Sequence, residues 1–332
     1  MKKPLLITEI SGNHNGNKKL FLKHIREAAK NGADIIKIQT YEPQDITLKV
    51  FDERFRIKKG TWKNQYLWNL YKKAHTPFSW HKEAFDLAKK LKVQIFSSPF
   101  SKRAVDLLEN LNVKMYKIAS FEITDLELID YIAKKKKLII LSTGMASLNE
   151  IKRAIKCINK YHNKIIILYC VSGYPSREED INLDTLNLFK KEFKNYQIGL
   201  SDHTNDIYTS LAATTFGISL IEKHFIISKK ISSPDIKFSI DKQQLKFLKN
   251  GINKIFISIG KGSIGKKKVE RDSMMFRRSI FAIKNIKKGE KFTEQNIGCF
   301  RPKKGLGAEN FTKVLGKKSK KFYKKNSSIF SF

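Results

Sequence analysis

Ionisable and hydroxyl side chains recur where short apolar segments of this sequence end. Glu9 ends the first segment, Lys37 and Gln39 lie at the end of the second, and Lys117 lies in the fourth. A lysine inside a folded domain is costly unless it meets an anion. Two such lysines beside several hydroxyl groups predict a cradle for a phosphate or a carboxylate. The candidate hydroxyl groups belong to Ser98, Ser120, Ser142, Ser172 and Tyr174.

The sequence also allows other roles for these charged side chains. Lys117 could form a structural ion pair with Glu122, and Glu9 could pair with Lys37 or with Lys117. A lysine at such a position could instead be a Schiff-base nucleophile, which requires a lowered pKa. A carboxylate there, such as that of Glu9, could serve as a general acid or base. The neighbouring serines and histidines favour anion binding.

Two histidines end two successive apolar segments and form a candidate metal site. They are His203 and His224, and the whole chain has only seven histidines. Two imidazoles on neighbouring strand ends can hold one divalent ion, with water and substrate at the remaining positions. Each histidine taken separately is more typical of a hydrogen-bonded structural residue. Asp202 and Glu222 beside them favour the metal.

Eight short segments rich in β-branched residues must position these side chains. A stretch with the period of an amphipathic helix follows each segment, and alternation of strand and helix predicts parallel strands. Eight such units within residues 1–260 predict a (β/α)8 TIM barrel, whose strand ends carry the active site. A doubly wound sheet is the alternative, but the chain has no GxGxxG motif. The segments are residues 5–11, 34–40, 94–100, 115–120, 138–144, 165–172, 196–202 and 219–225.

The remaining regions are an insertion, a linker and a small second domain. Residues 41–79 form an insertion rich in aromatic residues between the second and third segments. It could be a wall over the active-site face or a local hydrophobic cluster. Residues 261–275 read as a linker, because they contain Gly and Lys without an apolar period. Residues 276–332 predict a unit of short strands and turns.

Composition excludes several classes of protein. Apolar residues make up 41% and charged residues 29%, which excludes a disordered chain. No segment is long and apolar enough to span a membrane, and the N-terminus lacks the pattern of a signal peptide. Three widely spaced cysteines predict no disulfide framework and fit the reducing cytoplasm.

The net charge of +35 does not by itself predict nucleic-acid binding. Only 10 of the 66 basic residues are arginines, whereas base readers and phosphate forks favour arginine. The lysines are spread over the whole chain, which indicates a solvated surface that steers small anions. A basic protein that binds nucleic acid or an anionic glycan is the alternative to an enzyme.

Short motifs along nearly the whole chain resemble those of the sialic acid synthase family. The order is Glu9 with GNHNG, KIQTY, SSPF, KIASFEITD, STGMASLNEI, SGYP, GLSDHT and IEKHF. The segments FRRSIFAIKNIKKGE and IGCFRP resemble the C-terminal antifreeze-like (SAF) domain of that family. Within the family, LWNLYKKAHTPFSWH and the SSPF and KIASFEI forms are most similar to the branch that makes pseudaminic acid.

The resemblance implies a metal-dependent transferase. The reaction would join phosphoenolpyruvate to 2,4-diacetamido-2,4,6-trideoxy-L-altrose, an amino-sugar aldehyde in its open-chain form. The products would be pseudaminic acid and phosphate, formed with C–O cleavage. Mn²⁺ is the expected ion, with Mg²⁺ and Co²⁺ as alternatives. N-acetylneuraminate and legionaminate synthases, which use N-acetylmannosamine or a 2,4-diacetamido-trideoxymannose, are the alternatives within the family.

The resemblance also implies a role for each motif residue. His203 and His224 would hold the metal, while Glu9 and Lys117 would complete the catalytic set. Arg301 would reach the site of a second copy in a domain-swapped homodimer. The family often has GPD where this chain has SPD at 233–235. The phosphoenolpyruvate residues would be Lys37, Ser98, Lys117, Ser120, Ser142, Ser172 and Tyr174, and the sugar residues would be Gln39, Glu122, Asp235 and Arg301.

Overall fold

Eight parallel strands close into a barrel in chain order, which confirms the predicted TIM barrel. The computed structural model describes residues 2–332. The last strand pairs with the first, so that Glu9 lies in register with both Lys37 and His224. The strands are β1 (Leu5–Glu9), β2 (Ile35–Thr40), β3 (Gln94–Pro99), β4 (Met115–Ile118), β5 (Leu138–Ser142), β6 (Ile165–Cys170), β7 (Gln197–Asp202) and β8 (Leu220–His224).

Helices surround the barrel and begin at local capping signals. Ser147 opens one of them with a capping box, in which its hydroxyl accepts from the backbone N–H of Glu150 and the Glu150 carboxylate accepts in return. Within the described residues, none of the helices is both long and apolar enough to cross a membrane. The helices are α1 (Lys18–Lys30), α2 (Pro43–Ile46), α3 (Leu67–Ala74), α4 (Phe78–Lys90), α5 (Lys102–Asn110), α6 (Leu126–Ala133), α7 (Leu148–Asn159), α8 (Glu178–Ile181), α9 (Thr185–Glu192), α10 (Tyr208–Ala213), α11 (Lys242–Ile259) and α12 (Phe311–Val314).

The barrel interior has an apolar floor below a polar layer. Side chains alternate along a strand, so a residue and its second neighbour point to the same side. The floor is one buried cluster made of Ile7, Ile35, Phe96, Met115, Ile140, Leu168 and Leu220. The residues two positions further along these strands are polar or ionisable: Glu9, Lys37, Ser98, Lys117, Ser142, Cys170 and Glu222.

Gly199 on β7 completes the apolar floor without a side chain. A Cβ atom at this position would lie 2.5 Å from Leu168 Cδ2 and 2.6 Å from the carbonyl oxygen of Leu220. Real side chains do not approach one another so closely. A glycine is therefore required here, because the neighbouring leucines already fill the barrel.

The insertion at 41–79 is anchored to loops that follow other strands. Trp62 Nε1 donates to the carbonyl oxygen of Pro234 at 2.8 Å, and the Thr61 hydroxyl donates to that of Tyr174. At the other end of the insertion, Ala74 packs closely on Gly12. A Cβ atom added to Gly12 would lie only 2.8 Å from the Cβ atom of Ala74. These contacts hold the insertion against the strand-end face of the barrel.

Residues 261–332 form a second compact unit with its own core. Two strands, β9 (Ser279–Ala282) and β10 (Ile297–Phe300), pair antiparallel. Two short 3-10 helices span Lys268–Glu270 and Asp272–Phe276. They lie towards the end of the predicted linker, and the second extends one residue beyond it. The core residues are Ile280, Ala282, Ile286, Phe292, Ile297, Val314, Tyr323 and Ile329.

Candidate active site

A cavity of about 490 Å³ lies at the carboxyl ends of the barrel strands. Within residues 2–332, the cavity lining does not include Glu9, Ser98 or Ser172. Arg301 is an exposed residue of the second unit. The sequence-predicted residues that do line the cavity are Lys37, Gln39, Lys117, Ser120, Glu122, Ser142, Tyr174, His203, His224 and Asp235.

Lys37 lines the cavity and is held between the carboxylates of Glu9 and Glu222. Its Nζ lies 2.5 Å from Glu9 Oε2 and 3.5 Å from Glu222 Oε1. Burial alone would lower the pKa of Lys37, but Glu222 and Glu9 outweigh it and the pKa is raised. The same burial raises the pKa of Glu9 to about 7, although Lys37 opposes the rise. A proton can therefore move on or off Glu9 near neutral pH.

Lys117 has only neutral partners. Its Nζ donates to Ser142 Oγ at 2.6 Å and to the carbonyl oxygen of Ile118 at 3.0 Å. The predicted alternative of an ion pair with Glu122 is wrong, since no such pair forms among the described residues. Burial lowers the pKa of Lys117; the charge of Glu222 opposes this fall and that of Lys37 adds to it. A buried ammonium group without a carboxylate is a receptor for an anion.

Serine hydroxyls surround this ammonium group. Ser120 Oγ lies 3.0 Å from Ser172 Oγ. Ser172 therefore contacts a residue of the cavity lining instead of lining the cavity itself. Ser98 Oγ is buried and makes no hydrogen bond within residues 2–332. Its neighbour Ser97 points outwards, where its hydroxyl donates to the carbonyl oxygen of Ile38. Of the predicted serines, Ser120 and Ser142 are thus the two that line the cavity, together with the predicted Tyr174.

His203 and His224 stand side by side with ring centroids 5.3 Å apart. His203 Nδ1 lies 3.0 Å from the carbonyl oxygen of Val171. A carbonyl oxygen can only accept, so Nδ1 carries a proton, and in the neutral ring Nε2 holds the lone pair. His224 Nδ1 is buried and has no hydrogen-bond partner in the described part of the chain. Burial lowers the pKa of His224 far below its usual value, which keeps its imidazole neutral.

These two histidines fit a divalent ion with open coordination positions. Residues 2–332 contain no group of three or more His, Cys, Asp or Glu side chains arranged around one metal position. A site with two imidazole ligands would therefore take its other ligands from water or substrate. Neutral imidazole suits Mn²⁺, Co²⁺ and related ions.

A buried ion pair joins the two residues that directly precede the histidines in the chain. Lys223 Nζ lies 3.0 Å from Asp202 Oδ2 and donates to the carbonyl oxygen of Thr204 at 2.6 Å. Asp202 also accepts from the hydroxyl group of Ser210 at 2.5 Å and from Thr204 at 2.8 Å. Both members of the pair are fully buried. This network fixes the strand ends that carry the histidines.

Asp235 reaches the cavity from the loop after β8. Its Oδ2 accepts from the backbone N–H of Gly12 at 3.0 Å, and burial raises its pKa. Ser233 donates to Asn13 Oδ1 at 2.6 Å, and Asn13 donates to Ser239 Oγ at 2.7 Å. Ser233, which stands where the family often has glycine, thus ties this loop to the loop after β1.

From the sequence, Glu222 had no role beyond favouring a metal at the neighbouring histidines, and Phe238 and Cys170 had none. Glu222 had a usable signal, since it precedes His224 by two positions on one strand and so shares its face. The ring centroid of Phe238 lies 4.8 Å from that of His224, and no local pattern identifies it. Cys170 also lines the cavity, with Sγ 3.8 Å from His203 Nδ1.

Comparisons with known proteins identify the family of this chain. A model of the NeuB family matches residues 24–264, and a model of the SAF domain matches residues 277–330. The chain belongs to the NeuB family. This confirms the resemblance to the sialic acid synthases and the predicted C-terminal SAF domain.

Named relatives of this NeuB-family chain cover nearly its whole length. Pseudaminic acid synthase of Helicobacter pylori is 43% identical over 99% of this chain and 97% of its own. N,N'-diacetyllegionaminic acid synthase of Campylobacter jejuni is 39% identical over 99% of both chains. The N-acetylneuraminic acid synthetase of Leptospira borgpetersenii, solved with citrate, superposes with a TM-score of 0.73 at 28% identity, covering 82% of this chain and 90% of its own.

Proposed function

We propose that this protein condenses phosphoenolpyruvate with an open-chain amino-sugar aldehyde. The observation that carries the proposal is the pairing of an anion receptor with two metal-competent histidines in one cavity. Lys117, with no carboxylate partner, and the hydroxyls of Ser120 and Ser142 suit the phosphate and carboxylate groups of phosphoenolpyruvate. His203 and His224 suit a carbonyl acceptor beside it.

The favoured sugar is 2,4-diacetamido-2,4,6-trideoxy-L-altrose, and the product would be pseudaminic acid. Support comes from the 43% identity to a pseudaminic acid synthase. A second candidate is a legionaminate synthase, because a named relative of that activity is 39% identical over 99% of the chain. N-acetylneuraminate formation from N-acetylmannosamine is the remaining alternative.

Each polar residue then has a role in the reaction. The C–C bond forms between C3 of phosphoenolpyruvate and the aldehyde carbon, water adds at C2, and phosphate leaves with its bridging oxygen. Lys37 and Lys117 hold the anionic groups, and Gln39, Glu122 and Asp235 offer hydrogen bonds to the sugar. A divalent ion bound by His203 and His224, with Mn²⁺ as the expected ion, would polarise the aldehyde oxygen.

Glu9 is proposed to act through Lys37 because it is buried below the cavity. Its carboxylate touches Lys37 Nζ, and its pKa of about 7 lets it accept or release a proton as charge changes above it. Glu9 would thus handle protons in the reaction, as the sequence predicts, but through Lys37 and without contact to the substrate. Arg301 is proposed to complete the site of a second copy, in a homodimer that exchanges its SAF domains.

The test is phosphate release from phosphoenolpyruvate by purified protein with Mn²⁺. The altrose derivative, the 2,4-diacetamido-trideoxymannose and N-acetylmannosamine are offered separately, and EDTA-treated protein is the control. Release with the altrose derivative alone, lost with EDTA and restored by Mn²⁺, is the expected result. Release with another sugar would support the proposed condensation but contradict the altrose derivative as the substrate.

A folded, metal-loaded protein that releases no phosphate with any sugar would favour the non-enzymatic alternative. In that case a nucleic acid or an anionic glycan should bind, and binding should fall steeply as salt is raised. The same binding should survive His203→Ala, because the imidazole has no role in a surface contact with polyanions. The two classes of function therefore give opposite results with one variant.

A further inference from the structure

One segment of the second unit concentrates lysines on its surface. Six of the nine residues in 317–325 are lysines, and all six are exposed. In the whole chain 10 of the 66 basic residues are arginines, so 56 of the 332 residues are lysines. The density in this segment is about four times that of the chain, which exceeds a general bias towards lysine. The six residues are Lys317, Lys318, Lys320, Lys321, Lys324 and Lys325.

Backbone pairing places a second lysine-rich segment, residues 284–291, beside the first. Lys291 lies opposite Lys318 in an antiparallel bridge, and Ile286 lies opposite Tyr323 in another. The exposed lysines of the second segment are Lys284, Lys287, Lys288 and Lys291. The ten exposed lysines of the two segments form one surface, which we call the basic patch.

The charge of the basic patch is not balanced by ion pairs. Within residues 2–332, none of its lysines lies at ion-pair distance from a carboxylate. Glu290 is the only acidic residue in the two segments. Its carboxylate accepts from the backbone N–H of Lys287 at 2.8 Å and from Asn296 Nδ2 at 3.2 Å. Like charges directly opposite each other, such as those of Lys291 and Lys318, destabilise an antiparallel pair, and an external anionic partner would offset this cost.

Exposed phenylalanines accompany these lysines. Phe322 is 58% exposed and Phe330 is 54% exposed. Lys321 Nζ lies 5.2 Å from the ring centroid of Tyr323 and 5.9 Å from that of Phe330. At a bilayer surface, lysines attract anionic headgroups while apolar side chains enter the boundary between headgroups and acyl chains. A surface that offers both kinds of side chain matches an anionic bilayer.

The composition of the basic patch disfavours nucleic acid as its partner. The segments 284–291 and 317–325 contain no arginine. Arginine supplies the planar fork that pairs with phosphates and base edges, whereas lysine is a hydrated point charge suited to a diffuse anionic field. Arg301 lies elsewhere in the unit, since it follows Phe300, which pairs with Ser279. The basic patch is thus separate from the arginine proposed to serve an active site.

We propose that the basic patch docks this protein on the surface of an anionic phospholipid bilayer, without any segment crossing the bilayer. The lysines contact the headgroup phosphates, and the ring of Phe322 enters the interface. Raising the salt concentration weakens the docking, because salt screens the attraction between exposed charges. The inference does not depend on the proposed condensation, so either can fail while the other stands.

The test is cosedimentation of the full chain with lipid vesicles. One set of vesicles contains phosphatidylglycerol and phosphatidylcholine in equal amounts, and the other contains phosphatidylcholine alone. We expect binding to the anionic set only. A quadruple glutamine variant should bind it at least about 100-fold more weakly, because each lysine near the surface contributes about fivefold. Phe322→Ala should weaken binding about tenfold, because apolar burial is lost. The quadruple variant is Lys318→Gln, Lys320→Gln, Lys321→Gln and Lys325→Gln.

The matched control removes the same charge from exposed lysines of the first unit that form no ion pair within residues 2–332. It should keep the native affinity, and thermal unfolding should show that every variant is folded. Equal binding to both vesicle sets, or the same loss in the control, would overturn the inference. Tighter binding to single-stranded RNA than to anionic vesicles, or vesicle binding that Phe322→Ala leaves unchanged, would overturn the bilayer as the partner. The control variant is Lys89→Gln, Lys90→Gln, Lys191→Gln and Lys194→Gln.

Discussion

Two buried lysines in one cavity differ in what balances their charge. Lys37 has the carboxylates of Glu9 and Glu222 within 3.5 Å, so its charge is compensated within the protein. Lys117 is equally buried but donates only to a hydroxyl and a carbonyl oxygen. A buried ammonium group with no carboxylate at ion-pair distance lowers stability and strengthens anion binding at the same time.

Replacing Lys117 should therefore separate activity from stability. In Lys117→Met we expect kcat/KM for phosphoenolpyruvate to fall by about 100-fold, because a charge-assisted hydrogen bond to the anion is lost. The midpoint of urea unfolding should stay the same or rise, since a buried charge is removed. Steady-state kinetics and urea titration check the two halves. A drop in both quantities would indicate a structural role for Lys117.

Glu122 should make stability depend on pH near neutrality. Burial raises its pKa from 4.5 to about 7 in the folded protein. The folded state then holds a proton that the unfolded state has released, so stability is full below pH 4.5 and decreases as the pH rises towards 7. One pKa unit corresponds to about 1.4 kcal/mol, so the decrease is about 3 kcal/mol.

Glu122→Gln should remove this decrease. The difference in unfolding free energy between the native protein and the variant, measured from pH 4.5 to pH 7.5, isolates Glu122 because other groups cancel. The buried neutral histidines His14, His24 and His81, whose pKa values are lowered to about 3 or 4, contribute equally to both proteins. A difference that does not change with pH would contradict the raised pKa.

At the scale of elements, the strand period predicted which side chains would share a face. Lys37 and Gln39 are two positions apart on β2, and both line the cavity. The same rule places Ser98 in the polar layer, yet its hydroxyl does not reach the cavity. The two-residue period of a strand predicts which face of the sheet a side chain lies on. Whether that side chain reaches the cavity depends on how its neighbours fill the barrel.

Loop contacts could not be predicted in this way. Trp62 meets Pro234 across 172 residues of sequence, and Ser233 meets Asn13 across 220. The local sequence around each residue does not predict its partner, because both contacts form only when the barrel closes. The sequence left open whether the insertion is a wall or a local cluster. The structure shows both features, since the ring centroids of Phe51 and Tyr66 lie 5.5 Å apart within it.

The buried pair between β7 and β8 gives a prediction at this scale. Lys223→Met leaves Asp202 buried without its cation, and breaking a buried pair in this way costs about 3 kcal/mol or more. Urea unfolding should detect this loss. Lys82→Met is the matched control, because the ion pair of Lys82 with Asp86 is exposed and its loss should leave the free energy of unfolding almost unchanged. Equal stability of the two variants would exclude a supporting role for the network.

At the scale of the whole molecule, the second unit carries an excess of positive charge. Residues 261–332 contain 21 basic and 5 acidic residues, while the chain as a whole has a net charge of +35. The ion pairs formed by the described residues all lie in the first unit, so within those residues the cations of the second unit are not paired with carboxylates. Their field favours the approach of anions such as phosphoenolpyruvate.

The proposed exchange of SAF domains predicts that two inactive variants restore each other. In Arg301→Ala the barrel is intact, and in His203→Ala the SAF domain is intact. Each variant alone should have little activity. If Arg301 serves the barrel of a second copy, coexpression at equal levels should restore about a quarter of the native activity, because barrel and arginine are both native in one site of four.

An arrangement in which Arg301 serves its own barrel predicts the opposite result. Every site would then contain one of the two substitutions, and the mixture would stay inactive. Arg301 is exposed within its own unit, so Arg301→Ala should unfold at the native temperature, and a differential scanning measurement checks this. Size-exclusion chromatography of the mixture must show a dimer for restored activity to mean exchange. Recovery therefore depends on a second copy, because no single chain in the mixture carries both native residues.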